Sequence, residues 1–221
     1  MKVIIFGATG MIGQGVLRES LLDSNVELVQ TVGRTASAAP HPKLRAIVHS
    51  DLWHYETIET NLSGFDACFF CLGVSASGLN EEEYKRITYA MTMAAADVLC
   101  RLSPRMTFIY VSGTGADSSE RGLVMWARIK GKTENALLKM PFTAYIFRPG
   151  MIQPLDGIQS KTKSYRVFYK IGKPLLPLLR KIFPNHVLTT KEIGRAMLTV
   201  ARDGYPKRVM ESADIRAVVK P

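Results

Sequence analysis

The chain has 221 residues, of which 47% are hydrophobic and 22% are charged, and its formal net charge is +10. This length is typical of one domain with a substantial core, and the ordinary composition excludes a long disordered region. No stretch reaches the roughly 20 apolar residues of a membrane-spanning helix, and the apolar start is too short for a secretory leader. We therefore expect a soluble cytoplasmic protein.

The start of the chain predicts a strand, a glycine-rich turn and a helix in direct succession. The apolar run Val3 to Phe6 ends at Gly7, glycines follow at Gly10 and Gly13, and helical spacing of apolar residues extends over Met11 to Leu22. A dinucleotide pyrophosphate site requires this order of elements. Gly7 would allow the tight turn, Gly10 the approach of backbone to phosphate, and Gly13 the close packing of helix on strand.

Further apolar runs alternate with helical patterns along the chain. The predicted strands are Val26–Val32, Arg45–His49, Asp66–Cys71, Met106–Val111 and Thr143–Phe147, and the predicted helices are Asn80–Leu102, Ser119–Lys139 and Thr190–Ala201. Strands that are apolar throughout and separated by helices indicate a parallel sheet covered on both faces. With right-handed crossovers, the predicted fold class is α/β, a doubly wound parallel sheet with helices on both faces.

The pattern weakens after Phe147, where prolines recur. We expect a single domain over residues 1–221, with residues 150–189 as a small irregular C-terminal lid that covers the substrate. Ligands of doubly wound sheets bind at the carboxyl ends of the strands, where such a lid would lie.

The end of the second predicted strand indicates the preferred cofactor. NAD sites place an acid there to accept from the ribose 2′-hydroxyl, but this strand ends in Val32-Gly33-Arg34-Thr35, and Glu27 lies at its opposite end. A guanidinium can bind a 2′-phosphate that a carboxylate would repel. We therefore predict that NADP(H) is preferred over NAD(H), with a solvated loop arginine as the alternative.

A basic block covers residues 157–190. It contains seven Lys or Arg residues and no Asp or Glu, and aromatic residues and leucines are interleaved with the cations. Such a block can be the solvated face of a substrate lid or can bind an anionic membrane surface. Nucleic acid is the less favoured partner, because no recognised binding module accompanies the charge.

Several short motifs together resemble a known family. They are GATGMIGQG, VGR, the pair Asp51-Leu52, CLG, VSG, Lys130-Gly131, Arg148-Pro149-Gly150 and ESADIRA. In this order they resemble the short-chain dehydrogenase/reductase superfamily over nearly the whole chain. The resemblance is strongest to its atypical branch of NmrA-like and Tat-interacting-protein-like proteins, and it implies a Rossmann-like NAD(P)-binding domain.

The resemblance also implies cofactor contacts at particular positions. The pyrophosphate would be bound by Gly7, Gly10, Ile12 and Gly13, with Thr9 and Met11 of the same turn as further cofactor contacts. The adenosine phosphate would be bound by Arg34, and the adenine by Asp51 and Leu52. The ribose and nicotinamide would lie along Leu72, Gly73 and Val74, with Lys130 on the nicotinamide ribose and Pro149 and Gly150 near the carboxamide.

The chain departs from the family at the catalytic tyrosine. The family uses a serine after the fifth strand and Tyr-x-x-x-Lys on the next helix, where the tyrosine exchanges a proton with the substrate oxygen. Ser112 and Lys130 are present and are the predicted catalytic residues, but Trp126 occupies the tyrosine position. The indole is a donor only and does not titrate usefully, so we place Trp126 in the substrate pocket with Ser112 and Thr114.

Three interpretations follow from this departure. In the first interpretation the protein is an oxidoreductase for a small carbonyl or planar substrate, with the proton supplied by Ser112, by another hydroxyl such as that of Tyr84, Tyr110 or Thr114, or by water. It is alternatively a catalytically silent NADPH-sensing regulator. In the third interpretation Lys130 is only a surface residue and Trp126 only part of the core.

No metal site and no redox pair are expected. The four histidines show no metal-binding spacing. Cys68 and Cys71 lie in a predicted buried strand and, three residues apart, point to opposite faces. The long predicted helices 80–102 and 119–139 could pair two subunits, so the sequence is compatible with either a homodimer or a monomer.

Overall fold

The computed structural model describes residues 1–36, 40–158 and 186–219. Its central sheet has seven parallel strands in the order β3-β2-β1-β4-β5-β6-β9. In chain order the strands are β1 (Lys2–Phe6), β2 (Leu28–Gly33), β3 (Leu44–Val48), β4 (Ala67–Phe70), β5 (Thr107–Val111), β6 (Thr143–Arg148), β7 (Met151–Gln153), β8 (Val187–Thr189) and β9 (Val209–Glu211). The six predicted strands all occur, with ends within two residues of the expected ones.

Helices cover both faces of this sheet. They are α1 (Met11–Leu22), α2 (Glu81–Lys85), α3 (Met91–Leu102), α4 (Met125–Leu138), α5 (Thr190–Asp203) and α6 (Ser212–Val219), and a π-helical turn (Arg86–Ala90) joins α2 to α3. A 3₁₀ helix, Glu56–Leu62, follows β3. The predicted helix over Asn80–Leu102 is therefore one continuous run, and Asn80 is its N-cap.

Two hydrophobic cores lie on opposite faces of the sheet. Along β1, Val3 and Ile5 belong to the core beneath α1 and α5, whereas Ile4 and Phe6 belong to the core beneath α3. All four side chains are fully buried, because a parallel strand covered by helices on both sides has no solvent-facing row. The predicted doubly wound, Rossmann-like fold is confirmed.

Helix α4 begins six residues later than the sequence pattern predicts. The Asp117 carboxylate accepts bonds from the backbone N–H groups of Ser119 at 2.9 Å and Gly122 at 2.7 Å. These bonds stabilise a loop, in competition with helix, over residues 117–122. The late start places Trp126 in the first turn of α4.

The short strands β7, β8 and β9 were not predicted. Strands β7 and β8 pair in parallel, with Met151 opposite Val187 and Gln153 opposite Thr189, so they join the two ends of the expected lid 150–189. Residues 159–185, which contain all the cations of the basic block 157–190, lie outside the described residues. In the described part of the chain, no helix has the length and apolar content needed to span a bilayer.

Candidate functional site

The carboxyl ends of the central strands open on a cleft of about 1240 Å³. Its walls are the turn after β1, the end of β2, the segments after β4, β5 and β6, and the first turns of α4. Of the predicted site residues, those on its walls are Gly7, Thr9, Gly10, Met11, Ile12, Arg34, Leu52, Leu72, Gly73, Val74, Ser112, Thr114, Trp126, Lys130, Pro149 and Gly150. Strands β1 and β4 are neighbours at the point where the chain changes direction across the sheet, and ligands of such sheets bind there.

Two predicted cofactor residues do not line this cleft. Gly13 packs α1 against the turn, since a Cβ at Gly13 would lie 2.1 Å from the Gly7 carbonyl oxygen. Asp51 instead lines an adjacent cavity of about 460 Å³ with Trp53 and His54. The His54 ring lies 2.9 Å from the Asp51 carboxylate and lowers its pKa, so the Asp51 side chain is held within its own loop.

The turn after β1 requires glycine at its first position. Gly7 has φ +78°, a left-handed conformation that favours glycine. A Cβ there would lie 2.7 Å from the backbone nitrogen of Leu72 and 2.8 Å from the Cys71 carbonyl carbon. The glycine therefore allows this turn and the segment after β4 to meet at the floor of the cleft.

The N-terminus of α1 faces the cleft without a side-chain cap. Helices α2 and α5 begin with complete capping boxes, Asn80 with Glu83 and Thr189 with Glu192. Helix α1 has Gly10 at its N-cap, no capping hydrogen bond and no acidic residue in its first turn. Uncapped N–H groups and a positive helix end that face a cleft form a binding site for an anion such as a pyrophosphate.

Arg34 lies at one end of the cleft. It follows β2, its side chain is exposed, and no hydrogen bond or ion pair joins it to another described residue. Glu27 lies at the far end of the same strand, where it binds the Met1 amino group at 2.8 Å. This end of the cleft is therefore cationic, with Thr35 as a neutral neighbour on the same wall.

Helix α4 forms the other end of the cleft. Trp126, Lys130 and Glu134 follow one another at four-residue spacing and so share one helix face. Trp126 and Lys130 both line the cleft, so the interpretation of these two residues as core and surface is wrong. Desolvation lowers the pKa of Lys130 to about 8, although the charge of Glu134 acts in the opposite direction.

A buried ionic network lies beneath this end of the cleft. The fully buried Glu134 carboxylate accepts from the Ser112 hydroxyl and from Arg148, whose Nε lies 3.1 Å from each carboxylate oxygen. Arg148 also donates to Ser118 Oγ at 2.6 Å and pairs with Glu211 at 3.3 Å. The hydrogen bonds that Arg148 donates to Glu134 raise the pKa of the guanidinium above its ordinary value.

Sequence reasoning missed this network, although its spacing offered a signal. Glu134 lies four residues after Lys130 and eight after Trp126, so a helical wheel places its carboxylate on the cleft side of α4. The network occupies the hydroxyl proton of Ser112, the predicted catalytic serine, while leaving Ser112 on the cleft wall.

Together, a doubly wound parallel sheet, a glycine turn and an uncapped helix at the strand ends define a dinucleotide-binding protein. The family model for NAD(P)H-binding proteins matches residues 7–170. The chain belongs to this NAD(P)H-binding family, which has the Rossmann fold of the short-chain dehydrogenase/reductase and epimerase superfamily. It is a nicotinamide dinucleotide-binding protein.

The chain is also similar to curated proteins and, in its fold, to solved structures. The chain is 26% identical over 210 residues to "Protein FMP52, mitochondrial" of Debaryomyces hansenii, an alignment that covers 92% of this chain and 88% of the relative. It is 31% identical over 153 residues to "Protein FMP52-2, mitochondrial" of Scheffersomyces stipitis, covering 67% and 65%. The fold resembles the Bordetella bronchiseptica enzyme WbmF in complex with NAD⁺, with a TM-score of 0.69 at 14% identity and coverage of 98% and 76%.

The cytoplasmic location expected from the sequence is contradicted by these relatives. The fungal proteins that the chain resembles are named as mitochondrial. The expectation rested on the lack of an apolar leader and an apolar span. Those features report on secretion and membrane insertion, whereas signals for mitochondrial import are amphipathic, so the criterion could not separate the two compartments.

Proposed function

We propose that the protein is an NADP(H)-dependent oxidoreductase that transfers hydride to or from a small carbonyl or planar substrate. One observation carries this proposal: a single cleft runs from the Arg34 guanidinium, past the glycine turn and the start of α1, to Trp126 and Lys130. Its volume of about 1240 Å³ exceeds the roughly 300–1,000 Å³ of ordinary small-molecule pockets. This size supports a cofactor together with a second ligand.

The residues along the cleft fit an extended dinucleotide. The turn after β1 and the N-terminus of α1 would hold the pyrophosphate, and the buried side chain of Leu52 would pack on the adenine. Lys130, Pro149 and Gly150 would hold the nicotinamide end. When bound, a reduced nicotinamide supplies the hydride and its electron pair.

Arg34 supports the preference for NADP(H). Its exposed guanidinium has no ionic partner among the described residues, and the acid of the strand, Glu27, is bound to the chain terminus at the other end. A free guanidinium can bind a phosphate with two parallel hydrogen bonds. The 2′-phosphate of NADP(H) would provide that partner.

Titration with NADPH and NADH tests the proposal. We expect tighter NADPH binding in the wild type, followed by nicotinamide fluorescence and by thermal stabilisation, which grows with ligand concentration over Kd. Arg34→Glu should weaken NADPH binding at least tenfold, roughly the loss of one charge-assisted bond, and spare NADH. Arg105→Glu is the matched control. Arg105 is exposed and precedes the amino end of β5, whereas the cleft lies at the carboxyl ends of the strands. Equal affinities for the two cofactors that Arg34→Glu leaves unchanged would contradict the preference.

A silent NADPH-sensing protein is the second candidate. Two observations favour it: Trp126 replaces the proton-donating tyrosine, and the Ser112 hydroxyl donates to Glu134. A protein that binds NADPH tightly but oxidises it with no member of a panel of aldehydes, ketones and quinones would support this candidate over the enzyme.

The names of the fungal relatives support a mitochondrial location for this protein as well. Fractionation of cells that express the tagged full chain tests the location. Recovery with purified mitochondria is expected, and recovery in the supernatant left after the mitochondria are removed would overturn it.

A further inference from the structure

We propose that Lys130 donates the proton that the substrate oxygen takes up during reduction, in place of the tyrosine that Trp126 replaces. This inference rests on the proposed hydride transfer. It concerns the proton only, and the groups that carry it all belong to this chain.

Three of the four hydroxyl groups considered as proton donors, those of Ser112, Thr114 and Tyr110, donate elsewhere or do not line the cleft. The Ser112 hydroxyl donates to buried Glu134, and Thr114 Oγ1 donates to the Arg148 carbonyl at 3.0 Å. Tyr110 is buried beneath the cleft wall, and burial raises the pKa of its phenol far above neutrality. Tyr84 is the remaining phenol on the described wall of the cleft, and we treat it as the competing donor.

Lys130 has the position that a proton donor needs. It lines the cleft one helical turn from Trp126, so its Nζ and the indole face the same ligand space. No hydrogen bond or ion pair joins this Nζ to another described residue, and it lies 5.6 Å from the centroid of the Tyr110 ring. Because no described group accepts a hydrogen bond from it, the ammonium can donate one to a substrate oxygen.

The charges around Lys130 keep it protonated at neutral pH and able to release the proton. Glu134 faces it from its own helix and Tyr110 faces it from β5. Tyr84 of α2 acts on Tyr110, and Arg148 shares the charge of Glu134. Desolvation is the larger effect and lowers the pKa to about 8. General acids are most effective when the pKa lies near the working pH.

Lys130 gives up one proton for each carbonyl that is reduced. Hydride delivery to the carbonyl carbon leaves the electron pair of the C=O π bond on oxygen. One N–H bond of the Lys130 ammonium breaks and an O–H bond forms, so the product is the alcohol and Lys130 becomes a neutral amine. The amine regains a proton from water. In the oxidative direction the neutral amine takes the proton from the alcohol.

The test compares Lys130→Arg with Lys132→Arg in NADPH-dependent reduction of a carbonyl from pH 6 to 10. Lys132 lies on the same helix, its Nζ is 5.3 Å from the Tyr89 ring centroid, and it does not line the cleft. We expect the wild-type rate to fall about tenfold per pH unit above pH about 8, as for a single acid. Lys130→Arg should still bind NADPH but lose roughly 10²–10⁴-fold in rate, the usual contribution of a general acid, while Lys132→Arg keeps the wild-type profile.

The possible failures are distinguishable. A wild type that oxidises no NADPH with any carbonyl overturns the proposed function, and the inference with it. A wild type that turns over, with Lys130→Arg retaining its rate and pH profile, overturns the inference alone. Loss of the rate in Tyr84→Phe but not in Lys130→Arg assigns the proton to Tyr84 and also overturns it.

A measurement without cofactor or substrate gives a second readout. In protein labelled with ¹³C at lysine Cε, we expect one resonance to titrate near pH 8 and to be absent from Lys130→Arg. Titration of that resonance at the ordinary lysine value of about 10.4 would overturn the inference.

Discussion

Trp126 determines which groups can perform acid chemistry at the inner end of the cleft. Its indole can donate a hydrogen bond but cannot release a proton near neutral pH. The neighbouring Lys130, one turn further along α4, is therefore the titratable group of this helix that lines the cleft. The consequence can be tested by restoring a phenol at this position.

We predict that Trp126→Tyr reduces carbonyls at least about tenfold faster than Trp126→Phe, the lower part of the range for adding a general acid. Both variants shorten the indole by a similar volume and differ in one hydroxyl, so the comparison isolates the proton donor. Steady-state kcat with saturating NADPH provides the measurement. Equal values for the two variants would show that position 126 does not reach the reacting oxygen.

Glu134 and Arg148 form an ion pair, and removing one partner tests how much the folded protein depends on it. The Glu134 side chain is 1% exposed and the Arg148 side chain 12% exposed. Removal of one partner from a buried pair leaves an uncompensated charge, which typically costs about 3–5 kcal/mol. We predict that Arg148→Met lowers the free energy of unfolding by about this amount in urea.

Arg128→Met is the matched control for that measurement. Arg128 pairs with Glu81 at 2.8 Å, but the carboxylate is 55% exposed, so its loss should cost about 0–1 kcal/mol. If Arg148→Met and Arg128→Met lose similar free energies of unfolding, burial does not determine how much the Arg148 pair contributes to stability.

At the residue scale, local spacing in the sequence is enough to place several predicted residues on one cleft. The glycine turn, Arg34 at the end of β2, and Trp126 with Lys130 on one helix face are all of this kind, and the cleft contains each of them. The network of Ser112, Glu134 and Arg148 joins β5, α4 and β6. The spacing of α4 places Glu134 on the cleft side of the helix, but its contacts with Ser112 and Arg148 depend on how the elements pack, which no local pattern shows.

At the scale of elements, the entry to α4 sets where Trp126 and Lys130 lie. The helix packs tightly against the loop 117–122 at Gly131, where a Cβ would lie 1.7 Å from the Asp117 carbonyl oxygen. This atom belongs to the backbone and cannot rotate away. Either the loop or the helix must therefore move to accommodate a side chain.

We predict that Gly131→Ala lowers the free energy of unfolding by about 1–3 kcal/mol, the usual cost of overpacking, despite the better helix propensity of alanine. Gly113→Ala should have little effect on stability, because a Cβ at Gly113 meets no atom within 4 Å. Urea unfolding of both variants measures the difference. A Gly131→Ala protein that is more stable than the wild type would show that the loop 117–122 can move to accommodate the added methyl group without loss of stability.

The elements that the sequence does not predict correctly are either very short or have an end where a side chain stabilises a loop in competition with helix. Strands β7, β8 and β9 have three residues each, too few for an alternating or continuously apolar pattern to be distinctive. The residues before α4 have helical composition, but the Asp117 side chain holds them in a loop. The long strands and helices are predicted because their hydrophobic spacing extends over several turns or residues.

At the scale of the whole molecule, buried titratable groups make stability depend on pH in two opposite ways. Burial raises the pKa of Cys68, Cys71, Tyr55 and Tyr110. In alkali the unfolded chain loses these protons while the folded protein keeps them, so stability falls as pH rises above about 8.5. Lys130 acts in the other direction, because its pKa is lowered to about 8 on folding.

We predict that the stability difference between the wild type and Lys130→Met grows in favour of the wild type between pH 8 and 10. In this range the unfolded chain binds the lysine proton and the folded protein does not. The contribution of Lys130 to the free energy of unfolding therefore rises with pH by up to about 1.4 kcal/mol per unit. The thiol and phenol contributions are common to both proteins and cancel in the difference. Urea unfolding without cofactor at pH 7, 8, 9 and 10 measures this difference. If the free energy of unfolding of the two proteins changes in parallel with pH, the pKa of Lys130 is the same in the folded and unfolded protein. That result would remove the electrostatic basis for the role of Lys130 as an acid.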